Sequence, residues 1–378
     1  MSGPEVIVIG AGGVGSAALF YLARRGVRAL GLDRFAPAHD RGSSHGRTRM
    51  IRQAYFEHPD YVPMVQRAFS QWAELSERRG SPLYHEVGLL QVGPRDGVVL
   101  PGVLASARTH GLEIEELSAA AVEKRWRGFR VPRHLAALFE RRAGYLDVED
   151  CVLAHLDEAR RMGAELRIGE TVRRWEATRD RVTVETDRGR YHAERLIIAA
   201  GPWAGQLLAE LGLPLEVRRK PMFWYEATSN VYSCEQQSPA FLFELPAGIY
   251  YGFPQIDELG VKVAEHSGGT VVADPLTVNR DIDAVDRSRV EQFAAEHLPA
   301  LTRRLTAHSV CMYTMTHDEH FIVDRHPTHA NVVFAAGLSG HGFKFAGVLG
   351  EALADLVCDR PTAAPMDFLH LNRPALRA

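Results

Sequence analysis

Residues 6–9 read Val-Ile-Val-Ile, an unbroken β-branched run of the kind buried on both faces of a parallel sheet. Gly10-Ala-Gly-Gly-Val-Gly15 follows, and a helix is predicted from there to about residue 25, where Gly26 stops it. Residues 27–32 return as a second strand ending at Asp33, which completes a βαβ unit closed by an acid. Amphipathic spacing then predicts a helix over 61–79, a strand over 87–92 and a helix over 152–162. Strands are predicted at 165–168, 172–178, 181–186 and 195–199, and again within 240–253 and 260–264. A last helix over 343–358 is apolar at Phe345, Val348, Leu349, Ala352, Leu353 and Leu356. No internal repeat or long linker interrupts the pattern. The buried run at 195–201 is expected to rejoin the first sheet.

Composition narrows the function classes. The chain has 378 residues, 46% hydrophobic and 24% charged, with a net charge of −3. That balance attracts neither nucleic acid nor an anionic membrane. Cys151, Cys234, Cys311 and Cys358 form no CxxC pair and match neither a zinc site nor a disulfide framework, which points to a reducing cytoplasm. The apolar run 6–22 lacks a basic segment before it, so it reads as strand, turn and helix rather than as a signal peptide. Only Lys124, Lys220, Lys262 and Lys344 are lysines among 44 basic residues. A chain that spares lysine so strongly keeps it where a compact ammonium is needed and a planar guanidinium is too bulky.

The glycines have separate tasks. Gly10 permits the tight turn, Gly12 lets a pyrophosphate approach the backbone, and Gly15 lets the helix press on the strand. Phosphates sit at the helix N-terminus and Asp33 accepts the ribose hydroxyls. In its strand–helix–strand context the fingerprint indicates a dinucleotide, without separating NAD from FAD. Just beyond it, His45, Arg47, Thr48, Arg49 and Arg52 crowd into eight residues, with Met50 and Ile51 between the arginines. A basic loop of this kind is ordinarily solvated, but the apolar interruption marks a segment that runs inside. His317, His320, His326 and His329 have no HExxH helix and no cysteine partner, so no metal is expected.

The stretch GSSHGRTRMIRQAY at 42–55 resembles the flavin-facing loop of the monomeric sarcosine oxidase family, which also contains N-methyltryptophan and pipecolate oxidases. The likeness continues, in the family's order, through Ala200-Gly-Pro-Trp203, Tyr250-Tyr-Gly-Phe-Pro254, Cys311-Met-Tyr313, DEHFIVD at 318–324 and SGHGFKF at 339–345. It implies an α/β (α+β) fold of the p-hydroxybenzoate-hydroxylase type, a Rossmann-like FAD-binding domain with a mostly antiparallel substrate domain. The FAD-binding part is expected at 1–83, 146–216 and 312–378, and the substrate part at 84–145 and 217–311.

The resemblance also implies roles. FAD would be held by Gly10, Gly12, Gly15, Asp33, Arg34, Ser43, Thr48, Arg49, Val172, Gly201, Trp203, Gly342, Phe343 and Lys344, with a thioether from Cys311 to the flavin 8α carbon. Arg52 and Lys344 would hold a substrate carboxylate. Lys262 would face flavin N5 through water and promote oxygen reduction. His45 and Arg49 would lie against the isoalloxazine ring, and Tyr251, His266, Tyr313 and Leu242 would line the substrate cavity. The implied protein is a cytoplasmic monomer that oxidises a small secondary or N-methyl amino acid and reduces O2 to H2O2.

Relatives carry histidine and aspartate where this chain has Ser44 and Arg47, which alters the charge expected near the flavin. Three other readings stay open: a tailoring oxidase of a cyclic imino acid or biosynthetic amine, a dehydrogenase passing electrons to another protein, and a flavin-binding module without catalysis. Arg52, Lys262 and Lys344 speak against the last, since FAD binding alone needs none of them.

Overall fold

A computed structural model describes residues 3–377. Val6–Ile9, wholly buried, pairs in parallel with Ala29–Asp33 on one side and Arg195–Ile198 on the other. The run near 195 therefore does rejoin the first sheet. Val332–Ala336 extends the sheet beyond Arg195–Ile198, Glu165–Ile168 extends it beyond Ala29–Asp33, and Ile322–Arg325 forms an antiparallel edge. Helices Gly13–Arg24, Val148–Arg161 and Ala346–Val357 contribute to one apolar core against this sheet. Their close approach needs glycine. A Cβ on Gly350 would lie 2.5 Å from Ala17 Cβ, and one on Gly15 would lie 1.8 Å from the Gly10 carbonyl oxygen.

The second large sheet has eight strands. Its order is Leu301–Met315, Glu216–Ala227, Val261–Glu265, Gly248–Phe253, Ala240–Leu245, Leu89–Gly93, Ala136–Glu140 and Glu115–Leu117. Every pairing is antiparallel except Ala240–Leu245 with Leu89–Gly93. Two three-stranded sheets complete the molecule: Val172–Ala177, Val182–Thr186 and Arg190–Ala193, and then Thr48–Ile51, Gly144–Asp147 and Tyr84–Glu86. Among the described residues no helix is long and apolar enough to cross a membrane.

Several boundaries differ from the sequence reading. The helix expected from 152 begins at Val148, because Glu149 and Asp150 suit the positive end of a helix and masked its first turn. The apolar segment 240–253 is a hairpin that turns at Pro246 and Ala247, with Gly248 at φ 139°. The last helix opens with a 3₁₀ turn, Phe343–Phe345, before the α-helix starts at Ala346. The cuts placed at 145/146, 216/217 and 311/312 fall inside the strands Gly144–Asp147, Glu216–Ala227 and Leu301–Met315. Leu301–Met315 pairs with Glu216–Ala227 from Ala227↔Leu301 to Glu216↔Met315 and delivers its buried end to the foot of the first sheet's cavity.

Candidate active site

The glycine turn, Asp33, the 199–203 segment and the 335–343 segment enclose a cavity of about 250 Å³. Gly10, at φ +91°, presses against the next strand, where a Cβ would meet Ala199 O at 2.4 Å. Gly12 faces the cavity, and Gly15 lies beneath the wall. Asp33 binds the turn from outside: its two oxygens accept from Ala11 N at 2.7 Å and Phe35 N at 2.8 Å. Arg34, Ser43, Val172, Gly201, Trp203, Gly342 and Phe343 are also on the wall. Arg34 Nη1, Trp203 Nε1 and Thr314 Oγ1, all on residues of this wall, are buried without a hydrogen-bond partner. Orphaned groups of this kind in a native cavity point to a polar ligand.

A smaller cavity of about 60 Å³ adjoins the first and shares Arg49, Tyr313, Gly340 and Phe343 with it. The structure brings Arg52, Lys344, Leu242, Tyr251 and His266 together here, residues separated by up to hundreds of positions in sequence. Arg52 stacks between Tyr55 and Phe56, its guanidinium carbon 4.1 and 4.5 Å from their ring centres. Its Nη2 donates to both oxygens of Glu57 at 2.7 Å, and its Nη1 to Ala54 O at 3.2 Å. Burial alone would raise the Glu57 pKa, but Arg52, then His341 and Lys344, outweigh it and bring it to about 2. Lys344 Nζ donates to His341 O at 2.8 Å and Tyr55 Oη at 3.2 Å, and burial followed by Arg52 lowers its pKa to about 7. Burial, then the nearby Lys220, holds His266 neutral with a pKa of about 3. Arg49, Arg52 and Lys344 face one carboxylate, Glu57, so the small cavity favours an anion.

Lys262, His45, Thr48 and Cys311 line neither cavity; they stand behind the wall. Lys262, only 2% exposed rather than half-exposed as its strand pattern would allow, donates to Gly46 O at 2.7 Å, Thr48 O at 3.0 Å and Thr48 Oγ1 at 3.2 Å. Burial, reinforced by Arg49, holds its pKa well below the ordinary lysine value. Its Nζ lies 5.3 and 5.0 Å from the ring centres of Trp224 and Phe253. His45 Nδ1 is 3.3 Å from Ser309 Oγ, its Nε2 is buried without a partner, and burial followed by Arg49 lowers its pKa to about 3. Arg49 Nη2 donates to Ser43 O at 3.0 Å and to Cys311 Sγ at 3.1 Å.

A family model described as FAD dependent oxidoreductase matches residues 5–356. The chain belongs to this family. The oxidoreductase is 39% identical to monomeric sarcosine oxidase of Bacillus sp. (strain B-0618), over 99% of this chain and 97% of that protein. It is also 39% identical to N-methyl-L-tryptophan oxidase of Citrobacter koseri (strain ATCC BAA-895 / CDC 4225-83 / SGSC4696), with 98% of each covered. In structure it is similar to NikD, an unusual amino acid oxidase essential for nikkomycin biosynthesis, with a TM-score of 0.87, 27% identity and 98% of each chain covered.

The larger cavity of this oxidoreductase fits FAD. The open backbone at Gly12 suits the pyrophosphate, and the orphaned Arg34, Trp203 and Thr314 groups offer it polar contacts. The two departures from the family are accommodated. Ser44 Oγ accepts from Gly13 N at 3.0 Å, joining the glycine turn to the arginine loop. The Arg47 guanidinium, half-exposed, pairs with Asp257, while Glu149 accepts from Gly46 N at 2.7 Å and from Arg47 N. The extra positive charge is thus paired with an acid instead of standing alone beside the flavin site. The histidines at 320, 326 and 329 pack on aromatic rings, His320 on Tyr61 and Phe368, the other two on Trp175.

Sequence reasoning missed Glu57, Tyr55, His341 and Lys220. The scarcity of lysine was a usable signal for Lys220; the other three sit in recognised motifs or beside them without distinctive spacing. Glu57 is ionised down to about pH 2 when folded, against 4.5 for the free side chain. Its pairing therefore contributes fully above pH 4.5 and is lost as pH falls through 2, a change of about 3 kcal/mol. The gap in melting temperature between wild type and Glu57→Gln is expected to be widest at pH 5–6 and to close towards pH 2; a gap independent of pH would contradict the pairing.

Proposed function

We propose that the protein is an FAD-dependent oxidase of a small secondary or N-methyl amino acid, which it converts to an imine while O2 becomes H2O2. The observation that carries this reading is the small cationic cavity opening beside the dinucleotide cavity, with Arg49 at the junction. Kinship with a sarcosine oxidase and an N-methyl-L-tryptophan oxidase supports the substrate class. FAD, when bound, accepts two electrons from the substrate and passes them to oxygen.

Arg52 takes the substrate carboxylate as a planar fork and Lys344 as a point charge. Glu57 already occupies that fork, so the carboxylate competes with it. An ammonium has no lone pair to assist C–H cleavage, and the fixed cations of the wall favour the neutral amine. His266 and Tyr313 bound the amine's position, with His266 Nδ1 3.4 Å from Tyr313 Oη. Met50, Phe56, Leu242 and Tyr251 close the remaining wall and favour a short side chain. An N-methyl imine is then hydrolysed to formaldehyde and a primary amino acid.

Lys262 is assigned to oxygen activation, since its buried ammonium, when protonated, stabilises negative charge developing on O2. Cys311 is assigned as a thioether tether; its buried sulfur stands behind the wall of the larger cavity, 3.1 Å from Arg49 Nη2. A monomer in the cytoplasm completes the proposal, supported by four free cysteines. Likeness to NikD, an amino acid oxidase of a biosynthetic route, supports a second reading, a tailoring oxidase of a cyclic imino acid or biosynthetic amine.

Peroxide production is expected with at least one of sarcosine, N-methyl-L-alanine, N-methyl-L-tryptophan, L-proline and L-pipecolate, and none with glycine. Sarcosine turnover supports the first reading and turnover of the cyclic acids alone the second; silence of all, with no anaerobic bleaching of the flavin, rejects both. Lys262→Met is expected to slow reoxidation of the reduced enzyme by about 100-fold while anaerobic reduction still proceeds. Unchanged oxygen kinetics would dismiss that role. In Cys311→Ala, the digest is expected to lose the peptide carrying flavin mass; its persistence would place the tether elsewhere.

A further inference from the structure

Three of the four lysines, Lys220, Lys262 and Lys344, are at most 5% exposed, whereas Lys124 is exposed. Lys262 and Lys344 have assigned tasks; Lys220 has none. It lies on Glu216–Ala227 opposite Cys311 in register, and its Nζ donates to three successive carbonyls, His266 O at 2.7 Å, Ser267 O at 2.8 Å and Gly268 O at 2.6 Å. The chain is shaped around this ammonium. Gly269, at φ +97°, comes so close that a Cβ would stand 3.3 Å from Nζ and 2.6 Å from Arg219 O. Thr270 O accepts from Arg219 N at 2.8 Å, and Val272 N donates to Val217 O at 2.8 Å, so the turn is laced back along the same strand. On its other side Nζ lies 5.0 Å from the ring centre of Tyr313.

We propose that Lys220 is a positioning residue of the substrate cavity: its ammonium fixes the 266–268 turn and so sets His266 and Tyr313 against the reacting amine. The proposal rests on the small cavity being the substrate site. Three carbonyls use all three N–H donors of an ammonium, and a neutral amine has only two. Loss of the proton turns a lone pair towards a carbonyl and releases the turn. Burial lowers the Lys220 pKa to about 8. Glu265 on the neighbouring strand and Asp286 on the helix Ala284–His297 oppose that shift, as does Cys311, whereas Arg218 on its own strand reinforces it. The ammonium in turn helps keep His266 uncharged. The positioned state is therefore present below pH 8 and is lost above it.

The test compares wild-type, Lys220→Met and Lys220→Gln holoenzymes. Anaerobic flavin reduction by the best amine of the panel is followed from pH 6.5 to 9.5, alongside melting temperature and flavin spectrum. Wild type is expected to show a descending limb near pH 8 in the ratio of reduction rate to Kd. Lys220→Met is expected to be slower at pH 7 by on the order of tenfold and to lack the limb near pH 8, keeping only the earlier one that Lys344 sets near pH 7. Lys220→Gln, which keeps two N–H donors, serves where Lys220→Met does not fold, and is expected to lose the limb with a smaller drop in rate. A folded variant with wild-type rate and limb overturns the proposal, as does a slower variant whose limb is unchanged, which marks packing alone. If no amine reduces the wild-type flavin, the substrate reading fails separately. Acetate titrations of the same holoenzymes then decide: a limb near pH 8 in wild type that is absent from the variants supports Lys220, and matching pH courses overturn it.

Discussion

Burying an ammonium is expensive unless its N–H groups are met, and this protein does it three times around one small cavity. Main-chain carbonyls meet each of them: residues 266–268 for Lys220, Gly46 and Thr48 for Lys262, and His341 for Lys344. A carbonyl dipole solvates a cation without cancelling its charge, as a carboxylate would. A protonated lysine held this way therefore keeps its field available to a ligand, although burial lowers the pKa of all three. Glu57 is the acid on the cavity wall, and it is committed to Arg52. The glycine positions, the strand registers and the arginine loop all serve to hold these carbonyls in place.

The two sheets divide the chemistry between them. The parallel sheet presents strand ends and a helix N-terminus, which suit phosphates and a long cofactor. The antiparallel sheet presents side chains, and Tyr251, Lys262 and Tyr313 come from three of its strands. Arg49 stands at the meeting of both, lining each cavity while its guanidinium reaches Ser43 O and Cys311 Sγ. One arginine thus relates the cofactor wall to the substrate wall.

Much of this was legible because it is local. The turn from Gly10 to Gly15, Asp33 and the two strands beside them belong to one continuous βαβ unit of fixed spacing, so their pattern survives in the sequence. The return of the strand at 195 was also readable from its continuous apolar run. What escaped was non-local or disguised. Lys220 sits in Val-Arg-Arg-Lys-Pro, which reads as an ordinary basic edge, yet its partners lie 46 to 48 residues on. Tyr55 and His341 meet across 286 residues. The helix expected from 152 starts four residues earlier, with Glu149 and Asp150 in its first turn.

The strand Leu301–Met315 alternates between water and protein over its first half and is buried over most of its second. It remains laddered to Glu216–Ala227 throughout that passage. The ladder thus carries one continuous strand from the solvent-facing end of its sheet to the walls of both cavities, where Tyr313 lies. Arg52, Phe56 and Glu57 line the small cavity from a loop outside every sheet, so exchanging Glu57 for a substrate carboxylate on Arg52 costs no strand pairing.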